Sequence, residues 1–226
     1  YSLKGNVKSI LIQEYEVEQK FGKLEAGDLK YYPDQTKIDF DKKGKYVEYT
    51  KLDKKGKIMG KTIPRRENDK IVEEIEYDEN GKQESIKKIN HVSNNESHII
   101  YDYKDYNDNK RTLKIRQYLK RGKLIRQDVK RYDKDILQDS SIYLFEYKKG
   151  KLKKQEIKEY SNDTLRSNPI FLFEYDKNGN CIEQQLDKTV IRYEYLEFDA
   201  KNNWIKRVEY KDDKPECMYI RQIEYY

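Results

Sequence analysis

The sequence predicts an all-β fold, an antiparallel meander of about 12–14 short strands built from repeated β-hairpins. Three observations support this fold class: an apolar-acidic-aromatic triplet recurs, turns with a fixed composition recur, and the repeats are closely spaced. The spacing, mostly about 11–15 residues, is too short for a strand-helix-strand unit and suits a series of hairpins.

The recurring triplet places an acidic residue between two apolar residues. Alternate side chains of a strand point to opposite faces, so each triplet predicts a half-buried strand with its carboxylate on the outer face. The triplets begin at Ile38, Val47, Ile75, Phe145, Phe173, Leu196, Val208 and Ile223.

Most triplets lead into a turn that begins with Asp and ends with Gly. Asp favours the first position of a type I turn, and Gly adopts the left-handed conformation that completes a bulged hairpin. Asp69 and Asn202 stand at the Gly position of two further turns, because Asp and Asn tolerate positive φ better than most residues. The complete turns are residues 41–44, 53–56, 78–81 and 176–179.

The composition indicates a thin core beneath a charged face. Hydrophobic residues form 35% of the chain, and 48 Lys and Arg nearly balance 42 Asp and Glu, which suits cross-strand ion pairs. Open sheets rarely exceed about 10 strands without curling or splitting. We therefore expect the sheet to curl into a roll or open barrel with its Tyr-rich face inward, with a closed barrel and a two-sheet sandwich as alternatives.

The length of 226 residues is compatible with a single β domain over residues 1–226. The repeat lapses at about residues 87–112, and we predict an irregular insertion there. No apolar run approaches the length of a membrane-spanning helix, and Tyr1 does not open a signal peptide.

The predicted insertion contains both histidines, His91 and His98. With Asp102 or Asp105 they could in principle ligate a metal, but their spacing matches no recognised ligand pattern. The sequence favours a loop and an irregular hairpin with solvent-facing histidines, and it predicts neither a metal nor a cofactor.

The chain carries no recognised catalytic motif, and we predict that it is not an enzyme. The recurring carboxylates are explained by strand pairing and turn formation rather than by acid–base chemistry. Cys181 takes a post-turn position that apolar residues fill in other repeats. Cys181 and Cys217 lack metal-ligand spacing and are interpreted as unpaired thiols, with one disulfide as the alternative.

Residues 110–134 are strongly basic, with eleven Lys and Arg against Asp128 and Asp133, a net charge of +9. Such an excess could attract phosphates, acidic polysaccharide or lipid headgroups, although a solvated strand face balanced by acidic neighbours is the alternative. No nucleic-acid-binding module is present, so nucleic acid is not a predicted partner. The predicted ligand-binding residues are Lys114, Arg116, Arg126 and Lys130.

The units "IEYDENGK" and "FEYDKNGN", with their aromatic-Asp-x-x-Gly core, resemble those of YD-repeat (Rhs-type) proteins. The opening "LKGNVKSI" and the closing "FDAKNNWIKRVEY" resemble the ends of small extracytoplasmic YD-repeat-like proteins of Bacteroidetes-type bacteria. This resemblance implies a wrapped β-sheet, export to the periplasm or cell surface with a lipid anchor upstream of Tyr1, and in some cases carbohydrate binding. It implies no catalytic residues.

The sequence therefore predicts a non-catalytic exported protein that presents a surface to a protein or glycan partner at the cell envelope. The alternative is a small-ligand carrier or enzyme with a site inside the rolled sheet.

Overall fold

A computed structural model describes residues 3–30, 35–104 and 110–226, and the regular elements among them are β-strands. We label these strands β1 to β18 in chain order. Their bounds are Val7–Lys20, Lys23–Leu29, Gln35–Phe40, Tyr46–Leu52, Ile58–Glu67, Lys70–Asp78, Gln83–Ser93, Glu96–Lys104, Lys110–Lys120, Lys123–Asp133, Ile136–Lys148, Lys151–Ser161, Thr164–Ser167, Ile170–Tyr175, Cys181–Leu186, Thr189–Phe198, Trp204–Lys211 and Lys214–Tyr225.

The chain divides into two compact units, which are described separately. Unit 1 comprises Tyr1–Ile63, Tyr77–Lys82 and Thr189–Tyr226, and unit 2 comprises Pro64–Glu76 and Gln83–Lys188. That the chain forms one domain stays a prediction. In the described part of the chain, no helix is long and apolar enough to cross a membrane.

The predicted antiparallel hairpins are confirmed, and their turns have the expected chemistry. The carboxylate of Asp41 accepts hydrogen bonds from the backbone N–H groups of Lys43 and Lys45, both at 2.9 Å. Gly44 then takes a φ of 75°, and Asn202 takes a φ of 66° at the equivalent position of its own turn. Each reversal therefore depends on a side-chain acceptor followed by a left-handed residue.

The described ranges contain eighteen strands, more than the predicted 12–14 or so. One reason is that strands such as β9 and β10 lack the acidic triplet on which the prediction depended. Another is that two neighbouring strands can share one partner. In unit 1, β1 pairs with β2 through Tyr15–Lys20 and with β3 through Ser9–Gln13. In unit 2, β12 pairs with both β13 and β14.

The first and last strands pair with each other, which corrects the prediction of an open sheet. The β1–β18 ladder begins with Val7 opposite Tyr225 and continues to Tyr15 opposite Met218. Because β1 also pairs with β3 through residues 9–13, both edges of β1 are paired over these residues. The open edge of the predicted roll or open barrel is therefore wrong at this place, whereas the curling of the antiparallel meander agrees with the prediction.

Residues 87–112 are also more regular than predicted. Their described part lies mainly in β7, β8 and the start of β9, and residues 105–109 fall outside the described ranges. A row of apolar side chains explains the regularity, because Ile89 lies opposite Ile99, which lies opposite Ile115. Val129 of β10 extends the same row, and both Ile99 and Val129 are buried.

The cores of both units contain small polar residues as well as apolar ones. Unit 1 buries Ile10, Val208 and Met218 almost completely, and unit 2 buries Ser97 and Ser141 beside the apolar row. Small hydroxyl side chains occupy little volume, so longer neighbours can cover them.

The turn carboxylates should make stability depend on pH. Burial alone would raise the pKa of Asp176, but hydrogen bonds from the side chain and backbone of Asn180 outweigh it and lower the pKa. A carboxyl with a lowered folded-state pKa stabilises the fold above its unfolded value and loses this contribution as the pH falls through the folded pKa. We expect the free energy of unfolding to decrease as the pH falls below the ordinary Asp value of 3.8.

Urea unfolding of the wild type and of Asp176→Asn at neutral and acidic pH would measure this contribution. Asn keeps an oxygen acceptor for the turn but does not titrate in this range. The free energy of unfolding of Asp176→Asn should therefore decrease less in acid than that of the wild type. An identical loss in the two proteins would contradict the prediction.

Candidate functional site

A cleft in unit 2 lies on strands β8, β9 and β10. Its volume is about 380 Å³, within the range of small-molecule sites. The strands are paired in register, so side chains from three neighbouring chain segments meet at one place. The residues that line it are His98, Ile99, Ile100, Lys114, Ile115, Arg116, Asp128, Lys130 and Tyr132.

Three of the four predicted ligand-binding residues, Lys114, Arg116 and Lys130, line this cleft. The fourth, Arg126, is not part of the lining. Its guanidinium donates two hydrogen bonds to the carboxylate of Asp128, at 2.7 and 3.1 Å. Arg126 therefore neutralises a carboxylate of the cleft wall.

Lys114 and Lys130 lie directly opposite each other across the β9–β10 pair. Like charges in this position destabilise a sheet. Lys114 Nζ lies 4.5 Å from the centroid of the Tyr132 ring, which partly compensates its charge. Among the described residues, neither lysine has a carboxylate within ion-pair distance, whereas the adjacent Arg126 does. The two amines thus form a local excess of positive charge.

Arg116, two residues after Lys114 on β9, has partners for its charge. Its Nη1 donates to Tyr118 Oη at 3.3 Å, and its Nε lies 3.6 Å from Glu96 Oε1. The hydrogen bond to Tyr118 and the charges of Glu96 and Asp128 raise the pKa of Arg116. Glu96 also contacts His98 Nε2 at 2.8 Å. The positive charge available to a ligand is therefore concentrated at the lysine pair.

The two histidines do not form a joint site. His91 lies opposite Ser97 and His98 lies opposite Asn90, so the two rings point to opposite faces of the sheet. His91 is half-buried and bonded to Ile71 O at 2.9 Å, so its predicted exposure to solvent was wrong. Asp105 is outside the described residues, and the described ranges contain no group of three metal-ligating side chains.

The sequence interpretation missed a cluster of arginine and aromatic residues in unit 1. The Arg207 guanidinium lies 4.6–4.7 Å from the ring centroids of Tyr193, Trp204 and Tyr219, and that of Arg221 lies 3.4 Å from Trp204. Arg207 lies opposite Tyr219 across the β17–β18 pair. Trp204 is three positions before Arg207, so regular alternation would place the two on opposite faces, but register shifts in the β16–β17 pair between them break the alternation. Nothing in the sequence indicates these shifts or says that this face is covered. The charges pack on the protein's own rings, which indicates a stabilising role.

A half-buried carboxyl and a buried thiol adjoin this cluster. Burial raises the pKa of Glu209, against the opposing charge of Arg207. Burial also raises the pKa of Cys217 to about 11, although Lys30 Nζ lies 2.8 Å from its sulfur. A thiol that is protonated at neutral pH is a poor nucleophile. Neither Cys217 nor Cys181 forms a disulfide.

The fold and the cleft together define an all-β protein of paired hairpins with a basic small-molecule-sized cleft. No family model and no curated protein matches this chain. A crystal structure of a porin-like protein from Bacteroides uniformis is similar over 98% of this chain and 99% of that one, with 9% sequence identity and a TM-score of 0.49. The resemblance to YD-repeat proteins is wrong, because the pairing of β1 with β18 contradicts the open roll expected for this chain.

Proposed function

We propose that this chain is a non-catalytic binding protein that holds an acidic glycan in the cleft of unit 2. The observation that carries the proposal is the Lys114–Lys130 pair, two amines directly opposite each other on the wall of a cavity of about 380 Å³, with no carboxylate partner among the described residues. A carboxylate or sulfate placed between the amines would accept a hydrogen bond from each and relieve their repulsion.

The cleft supports a small acidic sugar better than an extended protein segment. Its volume is suited to a ligand of one or two sugar rings. Ile100 and Tyr132 supply apolar and aromatic surface beside the amines, and Asp128 supplies an acceptor for a hydroxyl group. A ligand with one acidic group and several hydroxyls would satisfy these partners together.

A binding role is also supported by the state of the carboxylates. Asp128 is engaged by Arg126 and Glu96 contacts His98, so neither is held ready for proton transfer to a ligand. A carrier or enzyme with a site inside the sheet stays the alternative predicted from the sequence. We also propose that the protein acts outside the cytoplasm, and cell fractionation with an antibody to the chain would test this placement.

Replacing both Lys114 and Lys130 by Gln should weaken binding of an acidic oligosaccharide by at least tenfold. Hydrogen bonds that involve a charged group contribute about 1.5–3 kcal/mol each, and Gln removes both charges while preserving much of the side-chain length. Calorimetric titration with a short uronic-acid or sulfated oligosaccharide would measure the change, with the neutral parent sugar as the ligand control.

The matched protein control is the double variant Lys54→Gln and Lys55→Gln. These two residues lie in the exposed turn before β5 in unit 1. Their substitution removes the same total charge as the Lys114 and Lys130 double variant. The Lys54 and Lys55 double variant should bind as tightly as the wild type. Equal weakening in both double variants would reduce the effect to net charge, and failure of the wild type to bind any acidic oligosaccharide would refute the proposal.

A further inference from the structure

Three hairpin turns of unit 2 lie beside one another at the same end of their strands. They are the β9–β10 turn, the β11–β12 turn and the β14–β15 turn. Lys123 Nζ donates to Gly150 O of the second turn at 2.7 Å, and Lys151 Nζ donates to Asp176 O of the third at 3.4 Å. In each case the lysine that follows the glycine of one turn reaches the backbone of the next.

We call residues 120–123, 147–154 and 173–179 the basic turn edge. They contain nine Lys and Arg against Glu174 and Asp176, a net charge of +7, which exceeds the +6 of the whole chain. The two acids are already engaged, because Asp176 accepts from the side chain of Asn180 at 2.8 Å and Glu174 lies 3.9 Å from Lys153. The edge thus keeps a large positive charge.

Most of this charge lies at the tips of the turns. Six cations of the edge are exposed. Lys153 is paired with Glu174, and the other five have no carboxylate within ion-pair distance in the part of the chain that the structure describes. They are Lys120, Arg121, Lys148, Lys149 and Lys177.

The opposite end of the same strands is less basic. Its β10–β11 turn contains Asp133 and Asp135 around Lys134, and its β12–β13 turn contains Asp163. Asp133 pairs there with Arg111 of β9 at 2.8 Å. Unit 2 therefore carries a charge asymmetry along its strands. Such an asymmetry orients a molecule with one end toward a negatively charged surface.

The chemistry of the edge favours many phosphate groups over one shaped ligand. Eight of its nine cations are lysines, and an ammonium is a compact point charge that lacks the fixed two-pronged geometry of arginine. Tyr147 and Tyr175 lie beneath Lys123 and Lys151, at 5.1 and 5.4 Å between amine and ring centroid. Tyr is also a residue type that suits the boundary between water and lipid headgroups.

The edge also contains a shallow cavity of about 320 Å³. Four lysines line it together with Leu152, Phe173, Tyr175 and one carboxylate, Glu174, which is paired with Lys153. Its volume could receive a single headgroup, while the surrounding cations contact the phosphates of neighbouring lipids. We propose that the basic turn edge docks on a lipid bilayer that contains anionic phospholipids, through their headgroup phosphates.

Co-sedimentation with vesicles tests this proposal. The wild type should bind vesicles of phosphatidylcholine and phosphatidylglycerol, should not bind vesicles of phosphatidylcholine alone, and should dissociate as salt is added. Replacing Lys120, Arg121, Lys148 and Lys149 by Gln should weaken binding by about a hundredfold or more at low salt, since one cation near an anionic surface contributes roughly fivefold.

A matched variant replaces Lys42, Lys43, Lys54 and Lys55 by Gln. These lysines occupy turn tips of unit 1, so total charge changes equally, and vesicle binding should persist. The Lys114 and Lys130 double variant should also keep vesicle binding, which separates this proposal from the glycan site. Equal losses in the two fourfold variants, or binding of soluble dextran sulfate without binding of anionic vesicles, would overturn the proposal.

Discussion

Replacing Trp204 by Ala should lower the free energy of unfolding by about 3–5 kcal/mol, the usual cost of removing a buried aromatic ring. Trp204 is the only tryptophan of the chain and is 9% exposed. Its ring contacts Arg207 and Arg221 and lies edge-on to Tyr195 at 5.9 Å between centroids. Its removal would leave a cavity. The guanidinium groups of the half-buried Arg207 and the buried Arg221 would also lose the ring on which they pack.

The variant should be measured by urea unfolding followed by circular dichroism, because the mutation removes the tryptophan fluorescence signal. Phe21→Ala is the matched control, since Phe21 lies in the β1–β2 turn and its side chain is fully exposed. It should change stability by less than about 0.5 kcal/mol. The loss of unfolding free energy in Trp204→Phe should lie between the losses in Trp204→Ala and Phe21→Ala. Similar values for Trp204→Ala and Phe21→Ala would show that the cluster does not stabilise unit 1.

The features that could be predicted from the sequence are those determined by neighbouring residues. A turn such as residues 41–44 needs one acceptor and one left-handed residue within five positions, and both are visible in the sequence. The same holds for Asn202, whose positive φ was expected from its position. The alternation of Leu113, Lys114, Ile115 and Arg116 likewise predicts which side chains share a face.

The features that could not be predicted depend on register between distant segments. The ladder between β1 and β18 joins residues about two hundred positions apart, and no local motif specifies it. The opposition of Lys114 and Lys130 requires the exact pairing of β9 with β10, including the irregularity between Leu124 and Arg126. That irregularity lies next to Arg126, the one predicted ligand-binding residue that does not line the cleft.

Burial is the other quantity that alternation leaves undetermined. The triplet pattern assigns apolar residues to the core, yet unit 1 places Arg207, Trp204 and Arg221 together on a covered face. Arginine can lie there because aromatic rings accept its weakly hydrated guanidinium plane. A sequence rule that counts arginine as a surface residue cannot find such a cluster.

Asn203→Ala should lower the free energy of unfolding by about 2–3 kcal/mol, because this buried side chain joins three segments of unit 1. Its Oδ1 accepts from Lys4 N at 2.8 Å, and its Nδ2 donates to Lys4 O at 2.9 Å and to Tyr225 Oη at 2.8 Å. The backbone N–H of Asn203 donates to Asp199 at 2.8 Å, so the turn itself would persist.

Asn180→Ala is the matched control for this side chain. Asn180 holds the same position in the turn that begins at Asp176, but the hydrogen bond found for its side chain is local, to Asp176 Oδ2 at 2.8 Å. We expect Asn180→Ala to lower the free energy of unfolding by about 1 kcal/mol, the contribution of one ordinary hydrogen bond. Circular dichroism can follow both unfolding transitions, and tryptophan fluorescence can also follow that of Asn203→Ala, since Trp204 adjoins Asn203 in unit 1. Hydrogen exchange should also become faster near Lys4 in Asn203→Ala alone, because only this variant releases the segment before β1. Equal costs and equal exchange in the two variants would show that the contacts with Lys4 and Tyr225 add nothing beyond the turn.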